Sequence, residues 1–256
     1  MKFIRLVCIA LVVVIVINIT QVIATPRPQN QESIKSFSQW CKQKDALPNK
    51  TKRTVEVLLK KAGANNCDRA EQKLNKRQRL DLSHNQISDL SPLAELTNLQ
   101  VLALSENQIS DLSPLAELTN LNALDLHNNQ ISDLSPLTEL TNLQVLALSE
   151  NQISDLSPLA ELTNLILITL GHNQINDLSP LAELTNLQVL GLENNQISDL
   201  SPLTGLTNLT VISLARNQIS DVSPLARLTN LKNLYLLDNP IKNKTCPVKP
   251  ENICKF

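Results

Sequence analysis

The sequence predicts an α/β solenoid, a stack of coils that each add one short strand to a parallel sheet and return through turns and short helical segments. Three observations predict it. Asparagine falls at Asn85, Asn107, Asn129, Asn151, Asn173, Asn195, Asn217 and Asn239, a spacing of 22 each time. Fixed periods of this size mark architectures in which each repeat buries its face only against its neighbours. Within a period the leucines alternate, as Leu102 and Leu104 do around Ala103, which argues a strand with both leucines on one side. Aromatic residues are scarce, three Phe, one Trp and one Tyr in 256 residues, so leucine has to fill the interior.

One period reads LxxLxLxxNxIxDLxPLxxL. After the strand the chain must reverse, and Asn107 has a short amide that can both donate to and accept from backbone groups in that turn. Repeated in every coil, these amides satisfy loop backbone that otherwise could not be buried. Asp111, Ser113 and Pro114 follow, an acceptor ahead of a proline, as at the opening turn of a short helix. The whole column Asp89, Asp111, Asp133, Asp155, Asp177, Asp199 and Asp221 reads the same way, as turn caps and not as a cation ladder. Leu115 and Leu118 then point inward, and Asn120 begins the return. Strand alternation sends three other columns to the open side of the sheet. The first runs Arg79, Val101, Ala123, Val145, Leu167, Val189, Val211, Asn233. The second holds Asp125, Gly191 and Tyr235, and the third holds His127, Gly171, Glu193 and Leu237.

This cadence resembles the leucine-rich repeat family, in the 22-residue form of internalin-like bacterial surface proteins, over residues 80–241. The resemblance implies a right-handed horseshoe or arc, with the parallel sheet on its concave face and short helical or 3₁₀ segments outside. It also implies a binding role for the concave face. Eight strands about 4.8 Å apart span roughly 35 to 40 Å.

The flanks are read as follows. Residues 1–24 have Lys2 and Arg5, an apolar run from Leu6 to Ile17 and a small residue, Ala24, before a Thr-Pro junction. That is the layout of a secretory signal peptide, with an uncleaved anchor formed by residues 6–24 as the alternative. A linker, 25–31, leads to a helical N-terminal cap at 32–79, needed because a solenoid exposes apolar ends. SIKSFSQWCKQKD and TKRTVEVLLKKAG each read as a helix, the second closed by Gly63, with Phe37, Trp40, Val55, Leu58 and Leu59 as apolar faces. Residues 242–256 form the C-terminal cap, where Pro240 and Cys246-Pro247 break the pattern. Beyond the leader, four cysteines stand in two groups with 178 residues between them, and four cysteines allow three pairings. Seven turns of solenoid separate the groups, far beyond the ~7 Å reach of a disulfide. The expected bridges are therefore local, Cys41–Cys67 and Cys246–Cys254. Together with the leader they point to an exported protein, secreted, periplasmic or on the cell surface.

Charge and motifs narrow the function. Residues 25–79 carry 14 Lys/Arg against 5 Asp/Glu, whereas residues 80–239 carry 3 against 18. An acidic solenoid argues against nucleic acid, which needs Lys/Arg against phosphate. His84, His127 and His172 lie on different repeats, without a GxSxG, HExxH or glycine-rich phosphate loop, so no catalytic set converges. Asp125 and His127 share a face without an obvious third metal ligand. The expectation is a monomeric, non-catalytic protein with neither metal nor cofactor, which binds another protein or an envelope polymer. Its partner-binding residues are expected on the concave face at Val145, Leu167, Val189, Glu193, Val211, Arg216, Tyr235 and Leu237, where the pattern is most apolar or most irregular. The alternative is a self-associating envelope element in which basic caps meet acidic solenoids. Residues 98–121 and 142–165 are identical, open-face positions included, which favours a shallow or repetitive partner.

Overall fold

The structure, a computed structural model, describes residues 35–256. The leader, the linker and the first three residues of the cap lie outside the described residues. A helical cap is followed by nine parallel strands in a single sheet, ordered β1 to β9 as in the chain. The strands are β1 (Arg79–Asp81), β2 (Val101–Ala103), β3 (Ala123–Asp125), β4 (Val145–Ala147) and β5 (Leu167–Thr169), then β6 (Val189–Gly191), β7 (Val211–Ser213), β8 (Asn233–Tyr235) and β9 (Cys254–Lys255). From β1 to β8 the register is one period per step, so that Leu102 sits between Leu80 and Leu124, and Leu146 between Leu124 and Ile168. Each of β1 to β8 is only three residues long because just two side-chain positions flank the central leucine or isoleucine before the chain must turn.

The interior is aliphatic. In the coil that begins at Leu99, Leu102, Leu104, Ile109, Leu112, Leu115 and Leu118 are all essentially inaccessible, and the coils that begin at Leu121, Leu143, Leu165, Leu187 and Leu209 repeat the set with aliphatic residues. Short 3₁₀ turns return the chain on the far side, from Ser91–Leu93 to Ser223–Arg227, each with proline in its first turn. The aspartate two residues earlier holds the turn: Asp111 Oδ1 accepts from the Ser113 N–H at 2.9 Å, and Asp155 Oδ1 from the Ser157 N–H at 2.8 Å.

These bonds predict an acid limb to stability. Asp133, Asp155, Asp199 and Asp221 are held below the usual carboxylate range, first by the backbone N–H and then by the hydroxyl of the following serine. In Asp177 the Ser179 hydroxyl is the larger cause. A group whose folded pKa is depressed contributes stability above its unfolded value, near 3.9, and loses it as pH falls through the folded value. Urea unfolding midpoints are therefore expected to hold steady from about pH 7 to about pH 5 and to fall below about pH 4. Asp155→Asn is expected to flatten that fall, and an unchanged acid limb in the variant would remove the turn-cap account.

Two asparagine ladders stitch the coils together. In the first, Asn129 Nδ2 donates to Leu104 O (3.1 Å) and Leu126 O (3.0 Å), while its Oδ1 accepts from the Ile109 N–H (3.0 Å). From Asn107 onward each amide thus joins its own turn to the preceding coil, as Asn107 does through Leu82 O and the Ile87 N–H. The second ladder was not expected. Asn120 Nδ2 donates to Thr97 O at 2.9 Å, and the pattern continues to Asn230, which donates to Thr207 O at 2.8 Å.

Among the described residues the N-terminal cap has three helices where two were expected: α1 (Phe37–Lys42), α2 (Asn49–Ala62) and α3 (Cys67–Leu74). The first is shorter than the SIKSFSQWCKQKD segment because Ser36 and Gln39 form a capping box that starts it late, and a separate 3₁₀ turn takes Lys44–Ala46. Gly63 ends α2 in the left-handed conformation, at φ 57. Asn66 caps α3 by accepting from the Arg69 N–H. Phe37, Val55 and Leu58 are buried against the first coil. Polar contacts fix the docking: Thr51 Oγ1 donates to Asp89 Oδ2, Thr54 Oγ1 to Asp89 O, and Arg53 Nε to Asn85 O.

Cys41 is bonded to Cys67, with Cα atoms 5.6 Å apart, and Cys246 to Cys254 at 5.7 Å. The second bridge holds β9, a ninth strand that covers the edge left by β8 and that the repeat pattern did not announce. Among the described residues no helix is long and apolar enough to cross a membrane.

Candidate binding face

The open face of the sheet is built from the outward residues of each strand and the two residues that follow it. Two of the contact residues expected there are not open: Val145 is 1% exposed and Leu167 0%. With Ala123 they form a second apolar cluster, separate from the main core and flanked by half-buried Val101 and Val189. The physical reason lies in the register, which sets identical column positions about 4.8 Å apart so that bulky neighbours pack along the column. Counting outward positions by alternation identifies the face of the sheet but not the accessibility of a residue on it.

The remaining expected residues keep accessible surface. Val189, Glu193, Val211 and Tyr235 are half-buried and Arg216 is exposed. Leu237, 44% exposed, is the large apolar side chain left open among the described residues. It follows Tyr235 at the C-terminal end of the face. Next to it Arg216 Nε bonds Asp238 Oδ2 at 3.2 Å, tying the exits of β7 and β8 together. The residues that follow each strand, from His84 and Glu106 to Arg216 and Asp238, adopt positive φ between 53 and 59 without being glycine. Their backbone is held by the next coil, as when the Glu106 N–H donates to His127 O at 2.9 Å.

At the N-terminal end the face is polar. Asp125 Oδ1 accepts from the His127 N–H at 3.1 Å, and Ser105 Oγ donates to Ser83 Oγ at 3.0 Å. Burial pushes the Asp125 carboxyl above its ordinary range, and the His127 N–H offsets this only in part. No group of three His, Cys, Asp or Glu that could hold a metal ion occurs among the described residues.

The middle of the face departs most from the repeat. Gly171 and Gly191 replace the usual Ser and Ala, and the Glu193 side chain lies over Gly171. A Cβ at Gly171 would meet Glu193 Cδ at 2.6 Å, so glycine is what makes room for the carboxylate. Glu193 Oε2 and Ser213 Oγ are both buried and lack hydrogen-bond partners.

The family model described as leucine rich repeats in two copies matches in overlapping windows from 78–117 to 207–245. Among solved structures, internalin C2 of Listeria monocytogenes is similar at 36% identity, over 78% of this chain and 89% of that one, with a TM-score of 0.72. This chain belongs to the internalin-like leucine-rich repeat family. A leucine-rich repeat protein of Leptospira interrogans is similar at 28% identity, over 66% of this chain and 46% of that one, with a TM-score of 0.62. Among curated proteins, none matches the chain by sequence. Internalin-like leucine-rich repeat proteins generally mediate protein–protein interaction, and they are typically not enzymes.

Proposed function

We propose that this chain is an exported, non-catalytic binding protein that engages another protein through the C-terminal half of its concave face. One observation carries the reading: exposed Leu237 beside Tyr235, next to the Arg216–Asp238 pair, gives that end an apolar anchor with a charged rim. Aromatic and Arg anchors near an apolar centre dominate protein interfaces. Val189 and Val211 extend the apolar column toward β6 and β7. The two disulfides fit an oxidising compartment, and residues 1–24 serve as the export signal. The envelope polymer remains the second occupant, and one experiment separates the two.

Tyr235→Ala combined with Val189→Asp is expected to weaken saturable binding to a native envelope extract by at least about tenfold. Loss of binding after protease treatment of the extract supports a protein partner, and its persistence supports a polymer. Undiminished binding by the double variant overturns the concave-face reading.

The charge segregation leaves less for self-association than the sequence suggests. Part of the basic cap is already engaged within the chain, with Arg53 on Asn85 O and Lys61 4.0 Å from Asp81.

A further inference from the structure

The concave face changes character along its length. The carboxylates Asp81, Glu106, Asp125, Glu150 and Glu193 stand on it or at its exit rim from β1 to β6. Apart from Arg79 at its start, the Lys and Arg side chains of the face among the described residues come after β6, where Tyr235 and Leu237 lie. Strand β9 brings the decisive one. Cys254 is in register with Leu234 and Lys255 with Tyr235. Leu234 is buried and the Cys254 sulfur is bonded to buried Cys246, so Cys254 points inward. Alternation then turns Lys255 outward, about 4.8 Å from Tyr235 across the sheet. Lys255 is exposed, and its Nζ donates to Asn252 O at 2.8 Å, which occupies one of the three donors of an ammonium. Lys232, also exposed, immediately precedes β8, roughly 10 Å along the strand from Tyr235. The acid at this end, Asp238, is already held by Arg216. The seat that results has an apolar floor in Tyr235 and exposed Leu237, continued by half-buried Ala215 one period earlier, and a surplus of positive charge around it.

We propose that this end of the concave face binds an acidic, extended segment of the partner protein, with an apolar side chain resting on Tyr235 and Leu237 and flanking Asp or Glu carboxylates meeting Lys255 and Lys232. The proposal rests on the concave-face reading and names the chemistry of the partner. Each exposed ion pair adds little affinity, so the apolar contact anchors the segment and the charges select it. A basic segment is repelled at this end, where like charges face one another. An anionic polymer without apolar side chains leaves Leu237 uncovered and keeps only the part of the interaction that salt screens. Lys255 owes its place to β9, so the C-terminal disulfide that holds that strand also completes the seat.

The chain holds one tyrosine, so protein made with fluorotyrosine carries a single fluorine reporter, at Tyr235. The probe is the end-blocked peptide Asp-Glu-Leu-Phe-Asp-Glu. Saturable displacement of the fluorine resonance is expected, with a dissociation constant on the order of 0.1 to 1 mM. The counterpart with Asn and Gln in place of the acids is expected to bind at least about tenfold more weakly. Lys232→Glu combined with Lys255→Glu is expected to invert the preference, so that a peptide with Lys in place of the acids binds at least about tenfold more tightly than the acidic one. Both residues are exposed, and the gained affinity shows that the variant is folded. Leu237→Asn is expected to weaken the acidic peptide at least about fivefold. No displacement by the acidic peptide, equal affinities for it and its amide counterpart, or an unchanged order in the double Glu variant each overturn the proposal. Equal displacement of the resonance by polyphosphate at the same charge concentration would also overturn it, in favour of an anionic polymer. None of these failures touches the wider face, which stands or falls with the Tyr235 and Val189 double variant in the envelope extract.

Discussion

Leu146→Ala is expected to lower unfolding stability by about 2 to 5 kcal/mol, read as a shift in the urea midpoint at constant slope. The residue is inaccessible to solvent and stands in register between Leu124 and Ile168. In a globular core, neighbours can shift to close part of a cavity. In this solenoid they cannot, because the strands above and below are fixed at about 4.8 Å by their own hydrogen bonds. The void therefore persists, and the loss includes both the transfer free energy of the missing atoms and the contacts across the gap. The effect spreads to two interfaces at once, since each coil is stable only against its neighbours. Ser149→Ala, three residues on at the exit of the same coil, removes a hydroxyl from the open face and is expected to change stability by less than about 0.5 kcal/mol. Equal shifts for the two variants would show that the faces are assigned the wrong way round.

Much of this molecule is legible in its sequence because the period is enforced by geometry. A leucine that departs from its position leaves a void against two coils, and an asparagine that departs strands turn backbone. The core, the strand register and the first amide ladder follow from letters at fixed spacing. What the sequence hides is whatever depends on one coil differing from the next. Helix α3 was missed because NNCDRAEQKL is short and polar, with Ala70 and Leu74 as its only buried pair. Strand β9 lies outside the period and is placed by a disulfide, not by alternation. The second ladder uses Asn98, Asn120 and their equivalents, which are exposed and looked like ordinary return-turn residues. The left-handed positions carry His, Glu and Arg as readily as Asn, so no residue type marks them.

The candidate site shows the same division more sharply. Glu193, Arg216, Tyr235 and Leu237 were legible as breaks in monotony, and all four keep accessible surface. Val145 and Leu167 were chosen for apolarity alone, the property that also buries a side chain among its column neighbours. The role of Gly171 could not be read from sequence, because it is set by the path of a glutamate one period later. A glycine in an open-face column at a repeat whose neighbours carry Ser is nevertheless a usable signal, since a missing side chain there makes space for something.

Asn151→Ala is expected to cost about 1 to 3 kcal/mol. Asn151 Oδ1 accepts from the Ile131 N–H at 3.0 Å, and Nδ2 donates to Leu126 O and Leu148 O, both at 3.0 Å. Alanine leaves the Ile131 N–H without its acceptor and halves the donors on the two carbonyls, since Leu126 O keeps Asn129 Nδ2 and Leu148 O keeps Asn173 Nδ2. Asn151 is half-buried, so water reaches part of the gap and moderates the loss. Asn129, buried and bonded in the same way, is expected to cost at least as much when replaced. Asn151→Asp separates this account from simple packing. The side chain keeps its size and its acceptor, but the donor becomes a carboxylate oxygen facing two backbone carbonyls. If hydrogen bonding holds the turn, the aspartate variant at neutral pH is less stable than the alanine one, and it recovers as acid protonates the carboxyl. If the amide merely fills space, aspartate matches the wild-type protein, and the ladder no longer explains why the asparagine recurs in every coil.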